Sequence, residues 1–534
     1  IQSTSLRACN YKFSQFPLRP DANIFFRSQN ISMQFTQLIK EVIPRTPLLV
    51  STVVNHITKG PPAPSWDLKF HLLVAFVKDH IAKGKVTIER IQEVNNREVP
   101  LPDFVTSTPV TIPNIYRNKA GDLLEPLLAP HDSTLGWDWR RDLERETTPQ
   151  LTGEWLDIDT EKEQAHREKK THGGKTVMNV GNKEGKRDNV ILYVHGGAYY
   201  LCSIMTHRHI TWRLSKYGKA RTFAFNYRLA PQHPFPAALE DALAAYLYLL
   251  DPPADAGFQP VNPKRIVVAG DSAGGGLTMA TLLAIRDAGL PAPAGAVLLS
   301  PWVDLTQSFP SVISNSATDY LPDDLPSPVP DFDQLPKKQL EAETEIALVA
   351  NTADAEAVQF KRLQLYAPNE ALRIPYVSPV FDPKGLTGLP PLLLQAGTGE
   401  RLRDEAFYTA YKASLGYPSA PAAAPSGLPA TNVTFEIYID MPHVFQMFTF
   451  IPQTSTAFHR IGEFVQRIIA SPPETVAFTI FEVDGKGNAT ESASRVKQSE
   501  WEEWEKKLAL SLKEKMDETE KQRMLMKKGQ KNKL

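Results

Sequence analysis

Between residues 190 and 439, six short apolar runs recur with helix-like segments between them. That alternation constrains the fold more than any other feature of the 534-residue chain. The runs are 190–194 (VILYV), 222–225 (TFAF), 265–269 (RIVVA), 294–299 (AGAVLL), 391–396 (PLLLQA) and 433–439 (VTFEIYI). Most are β-branched or leucine-rich and nearly continuous, the pattern of parallel strands covered on both faces. The segments between them, such as 237–250 and 275–286, repeat apolar residues at helical spacing. The expected class is therefore α/β, a mainly parallel central sheet flanked by helices. Functional groups on such a sheet gather at the carboxyl ends of its strands.

The flanks read differently. Residues 1–32 form an extension, basic and serine-containing, to which no fold and no address is given. Residues 33–110 have a helical pattern, broken by Gly60-Pro61-Pro62-Ala63-Pro64, and are expected to form a helical N-terminal cap. The α/β domain should span 111–472, with a lid-like insertion at about 308–370, rich in proline and acid and then helical. In the charged tail, 473–534, Trp501, Trp504, Leu508, Leu512 and Met516 recur at helical spacing, and the expectation is a solvated extension, partly helical or disordered.

Composition removes several classes. With 42% hydrophobic residues the chain can bury a large core, and 59 Lys+Arg against 60 Asp+Glu argue against a nucleic-acid binder acting by bulk charge. Cys9 and Cys202 are too far apart in sequence to suggest a disulfide scaffold or a CxxC metal site. No cofactor and no metal is expected. The best candidate for a membrane span, 46–58, contains serine, threonine, asparagine and histidine, so no spanning helix is expected. The compartment and the oligomeric state stay open, with an intracellular setting favoured and room left for peripheral membrane contact.

The strongest chemical signal is Gly270-Asp271-Ser272-Ala273-Gly274, directly after one strand and opening a helix. A serine flanked by small residues at minus two and plus two can occupy a strained strand-to-helix turn that exposes its hydroxyl. An attacking serine also needs donors for the oxyanion it creates. His195-Gly196-Gly197-Ala198 follows the VILYV strand, so the amides of Gly196 and Gly197, with that of Ala273, are the expected donors. Tyr199 and Tyr200, next in sequence, are expected to line the entrance or, equally, to pack in the core.

A serine hydroxyl is a poor nucleophile until a histidine takes its proton and a carboxylate orients that histidine. His443 is the expected base, lying just beyond the last strand; His207 and His209 fall in a helical pattern and His233 in a proline-rich loop. The acid should follow PLLLQA, where Glu400 stands nearest the strand end and Asp404 is the alternative. The order serine, acid, histidine suits this arrangement.

These motifs together resemble the hormone-sensitive-lipase family of α/β-hydrolases. The resemblance also includes Asn226-Tyr227-Arg228-Leu229-Ala230-Pro231, Pro234-Phe235-Pro236-Ala237-Ala238 with Asp241, Ser300-Pro301-Trp302-Val303-Asp304-Leu305, and Val377-Ser378-Pro379, and it covers roughly 155–470. It implies the α/β-hydrolase fold and carboxylic-ester hydrolysis with Ser272 as nucleophile, His443 as base and Glu400 at the position of the acid, where family members usually carry aspartate. The flanking TPLLV and SWDL segments are more loosely similar to fungal esterases of the steryl-acetate-hydrolase type, which implies a small lipophilic ester as substrate, a sterol acetate among the candidates. Amide or formamide hydrolysis by the same residues, and ligand binding without catalysis as in plant gibberellin receptors, are the competing readings; the receptors lack the histidine. Gly173-Gly174-Lys175-Thr176 lacks the first glycine of a phosphate loop and is set aside.

Overall fold

The computed structural model describes residues 43–82, 87–135, 139–140, 150–171, 188–322, 363–421, 426–471, 475–493 and 495–511, and a few positions after them. The extension 1–32, the glycine-lysine motif at 173–176 and the helical part of the expected insertion lie outside the described residues. The chain divides into two compact units, 1–60 and 61–534. In the first, a helix runs over Thr46–Thr58 with proline in its first turn, where the missing N–H costs nothing.

The second unit is built on one sheet of ten strands: β1 (Val105–Ile112), β2 (Leu151–Ile158), β3 (Val190–Val194), β4 (Arg221–Asn226), β5 (Ile266–Asp271), β6 (Gly295–Leu299), β7 (Leu392–Gly397), β8 (Val433–Tyr438), β9 (Phe478–Val483) and β10 (Ala489–Glu491). Their order across the sheet is β1-β2-β4-β3-β5-β6-β7-β8-β9-β10. From β4 through β9 the neighbours are parallel, and β1, β2 and β10 run antiparallel to theirs. The six expected strands are β3 to β8.

The central strands β3, β5, β6 and β7 are buried at every position. Their side chains alternate between two cores, as a pleated strand requires. Ile191, Tyr193, Val267, Ala269, Val297, Leu299 and Leu393 pack under Ile204–Gly218 and Pro452–Ala470. Leu192, Val194, Val268, Leu298 and Leu394 face the helices Ala237–Leu250, Ala273–Asp287 and Arg403–Ser414. Covering on both faces explains why these strands read as unbroken apolar runs.

Two flanking expectations need correction. The cap stops earlier than residue 110: helices Leu68–Ala82 and Ile88–Asn95 are followed by β1, which pairs with β2. β1 contains Pro109 and alternating threonines, tolerated because it is an edge strand with one unpaired side. The described part of the tail, 475–493 and 495–511, is not a solvated extension. It supplies β9 and β10, and in the helix Gln498–Ala509 Trp501, Trp504 and Leu508 are buried, Trp501 stacking between Tyr408 and Tyr417 at centroid separations of 4.7 and 4.5 Å. Of the expected insertion, the described start from Ser311 to Pro322 is tied to the loop after β7. There Ser311 Oγ donates to the Arg401 carbonyl at 2.8 Å, Thr318 Oγ1 to that of Gly399 at 2.7 Å, and Asn315 Nδ2 to that of Glu400 at 2.8 Å.

The YRLAP segment is anchored through buried charge. Asp241 accepts from Arg117 Nε at 2.6 Å and from the Arg228 backbone N–H at 2.8 Å, and it pairs with the Arg228 guanidinium at 3.0 Å. Burial alone would raise this carboxyl, but Arg228 and Arg117 hold it below its ordinary value.

Candidate active site

The site forms where β3, β5, β7 and β8 end. Ser272 follows the last residue of β5 with φ 52° and ψ −123°, a conformation that a non-glycine residue adopts only under strain, and it opens the helix Ala273–Asp287. Small neighbours are obligatory. A Cβ on Gly270 would lie 2.3 Å from the Gly274 carbonyl oxygen, and one on Gly274 would lie 2.2 Å from that of Val194. The turn is fixed by backbone bonds: Ser272 N–H donates to Leu299 at 2.9 Å, and its carbonyl accepts from Trp302 and Gly276.

His443 lies on the loop after β8, buried, with Nε2 2.8 Å from Ser272 Oγ. Burial lowers its pKa, against the opposing charges of Asp319 and Asp271, which favours the neutral imidazole that can take a proton. Its other nitrogen, Nδ1, lies 3.9 Å from Glu400 Oε2. Glu400 is fully buried, and Oε2 also accepts from Ser300 Oγ at 2.5 Å, while Ser300 Oγ accepts from the Val444 N–H at 3.0 Å. Burial pushes the Glu400 carboxyl well above the usual range, with the Ser300 bond opposing and the Asp319 charge adding to the rise. The alternative acid, Asp404, is committed elsewhere: Oδ2 accepts from Ser311 N–H at 2.9 Å and Oδ1 from Arg403.

The loop after β3 turns sharply. Gly197 has φ 111°, and a Cβ there would meet the Leu201 carbonyl oxygen at 2.2 Å; Ala198 and Tyr199 follow with φ 53° and 67°. One expected oxyanion donor is not free, because the Gly196 N–H donates to Asp271 Oδ1 at 3.0 Å. The amides of Gly197, Ala198 and Ala273 have no acceptor among the described residues.

Asp271 also accepts from Tyr193 Oη at 2.5 Å and contacts His207 Nε2 at 3.3 Å. Burial pushes this carboxyl up, yet His207 and Tyr193 overcome it and hold the group at about 2. His195, stacked on Tyr227 at 4.2 Å, is pushed by burial to about 3 and stays neutral. Together these side chains hold the loop against the base of the nucleophile turn.

Of the two expectations for Tyr199 and Tyr200, the structure places both in the interior. Tyr199 stacks on Tyr366 at 3.8 Å, and Tyr200 joins Ile88 and Ala230 in a small apolar cluster. An aromatic ring beside a tight loop is buried for its apolar area. A ring that does meet the base is that of Tyr320, 6.0 Å from His443 and 6.0 Å from Phe448, which in turn meets Phe70 at 5.2 Å. Sequence reasoning singled out neither Asp271 as a loop anchor nor Ser300 as a bridge, although both stand inside motifs it quoted; Asp319 carried no signal. Among the described residues no cluster of His, Cys, Asp or Glu is placed to hold a metal ion. No helix among them is long and apolar enough to cross a membrane.

Comparison with known proteins agrees with this architecture. A family model described as alpha/beta hydrolase fold matches residues 191–326. An acetyl-hydrolase of Streptomyces hygroscopicus is 36% identical over 277 residues, spanning 52% of this chain and 75% of its own length. An esterase of Acinetobacter venetianus is 29% identical over 276 residues, spanning 52% of this chain and 74% of its own. Among solved structures, an esterase from the bacterial hormone-sensitive lipase family is 26% identical, with 74% of this chain and 97% of that chain covered and a TM-score of 0.47. The chain belongs to the same family of α/β-hydrolases as that acetyl-hydrolase and is a carboxylic ester hydrolase.

Proposed function

We propose that the chain hydrolyses esters through an acyl-enzyme, with Ser272 as nucleophile, His443 as general base and acid, and Glu400 as the carboxylate behind the imidazole. The observation that carries the reading is the 2.8 Å contact between His443 Nε2 and Ser272 Oγ, joining residues 171 positions apart. As the serine oxygen attacks the ester carbonyl, its proton passes to Nε2 and the carbonyl oxygen becomes an oxyanion. Gly197, Ala198 and Ala273 are the donors proposed for that oxyanion; each such bond contributes roughly 3–4 kcal/mol to the transition state. The imidazolium then protonates the departing alcohol, leaving the acyl group on Ser272. Water, deprotonated by His443, releases the acid and restores the serine.

The buried Glu400 carboxylate stabilises the imidazolium as it forms, and Ser300 steadies that carboxylate. The substrate proposed is a short acyl group on an apolar alcohol, a sterol acetate among the candidates. A relative named as an acetyl-hydrolase supports the short acyl chain. The aromatic rings of Tyr320, Phe448 and Phe70 beside the base support an apolar alcohol. The Ser272–His443 contact disfavours a receptor without catalysis.

The test is a hydrolysis screen from acetyl to decanoyl p-nitrophenyl esters together with a sterol acetate, on the native chain and on Ser272→Ala. Turnover should be greatest on acetyl esters, include the sterol acetate, and vanish in the variant. A preference for decanoyl esters with no release from the sterol acetate would reject the substrate assignment, and turnover surviving in S272A would reject the nucleophile.

A further inference from the structure

We propose that Asp319 is a positioning residue of the hydrolytic site: its carboxylate ties the loop bearing the base to the loop bearing the acid and sets negative charge beside the imidazole. The inference rests on the assignment of Ser272, His443 and Glu400 above. Asp319 is fully buried, in the segment after β6 that underlies the acid loop. One oxygen, Oδ1, accepts from the His443 backbone N–H at 3.2 Å and from that of Tyr320 at 2.7 Å. The other, Oδ2, accepts from the Arg401 N–H at 2.6 Å, one residue beyond Glu400. A single side chain from a third segment therefore joins the two loops whose separation sets the distance from Nδ1 to Glu400.

The need for such a tie follows from the geometry. His443 and Glu400 are brought together at 3.9 Å with no direct hydrogen bond, and Ser300 is the side chain that spans from Glu400 Oε2 to the base loop on the other side. Loops can drift by fractions of an ångström unless their backbones are fixed, and misplacement of about 1 Å costs on the order of 100-fold in rate. The charge matters as well. Beside Glu400, which faces the buried imidazole at 3.9 Å, and the Tyr320 ring at 6.0 Å, the charges of Asp319 and Asp271 also favour its protonation. Asp319 thus adds to the stabilisation of the imidazolium formed during attack.

Asp319→Asn removes the charge and replaces one acceptor with a donor that faces a backbone N–H. Asp319→Glu keeps the charge on a longer arm. Both should be made in the full chain beside S272A and assayed with p-nitrophenyl acetate across pH, with circular dichroism to confirm folding. Activity rises as His443 loses its proton, so removing a negative neighbour should move the acid limb of kcat/KM in D319N to lower pH, by roughly 1 unit. Its kcat should fall about tenfold or more with KM changed less than about twofold, and D319E should return the limb toward its native position. A folded D319N with native kcat and an unmoved limb, alongside an inactive S272A, would overturn this assignment alone. Turnover surviving in S272A would overturn the triad and this assignment with it. Failure of both Asp319 variants to fold would also overturn it, making the residue a structural keystone.

Discussion

Replacing Glu400 with glutamine removes a charge from behind the imidazole while keeping the size of the side chain. The glutamine carbonyl can still accept from Ser300, so the change falls on the electrostatic pair. At 3.9 Å and an effective dielectric constant of 20, the attraction between an imidazolium and a carboxylate is about 4 kcal/mol, equivalent to a rate factor of about 1,000. Loss of the corresponding aspartate in serine proteases costs a similar or larger factor, about 10,000. The assay is steady-state hydrolysis of p-nitrophenyl acetate by native protein, E400Q and Asp404→Asn at a pH where His443 is neutral. E400Q should lose about 1,000-fold in kcat, and D404N, whose carboxylate serves Ser311 and Arg403, should stay within roughly threefold of native, as a change outside the reacting groups would. An E400Q retaining a tenth or more of native activity, or a D404N falling as far as E400Q, would refute the reasoning and move the acid to another carboxylate.

Two further changes probe the frame around the site. Asp241→Ala leaves Arg117 and Arg228 buried without their shared carboxylate, and should lower unfolding free energy in urea by about 3–5 kcal/mol; a loss under about 1 kcal/mol would contradict the role given to this cluster. Since the arginines hold Asp241 below its ordinary 3.8, its contribution should be complete at neutral pH and fade as the pH falls below about 4. Trp501→Ala empties the stack between Tyr408 and Tyr417 and should cost about 3–5 kcal/mol by the same measurement, whereas a solvated tail would show no change.

The parallel sheet was legible because burial on both faces writes itself as VILYV and PLLLQA, runs that few other settings favour. The nucleophile turn was legible for a related reason. Gly270 and Gly274 stand where any Cβ would strike backbone, so the requirement is visible as residue type. The outer strands were hidden: β1 carries Pro109 and polar alternation, and β9 lies within a tail whose charge suggested solvent. Helix periodicity placed Trp501 and Trp504 on one face but could not say that Tyr408 and Tyr417 would be there to receive Trp501.

The same limit applies within the site. Ser272, Glu400 and His443 could be assembled by chain order, yet which glycine amide stays free depends on Asp271 reaching across to Gly196, a contact no local pattern announces. Asp319 was hidden more deeply. Its neighbours in sequence are ordinary loop residues, and its importance comes from two backbone N–H groups that arrive from positions 401 and 443. Side chains that bond to distant backbone leave no trace in the identity of the residue whose N–H they accept.

The central claim is that Ser272 is an activated nucleophile, and covalent labelling tests it most directly. A fluorophosphonate incubated with the folded native chain at neutral pH, followed by peptide mapping by mass spectrometry, should place one adduct per chain on Ser272, with labelling greatly slowed in His443→Ala. Folded protein that takes up no label, or takes it up at another residue, would contradict the account.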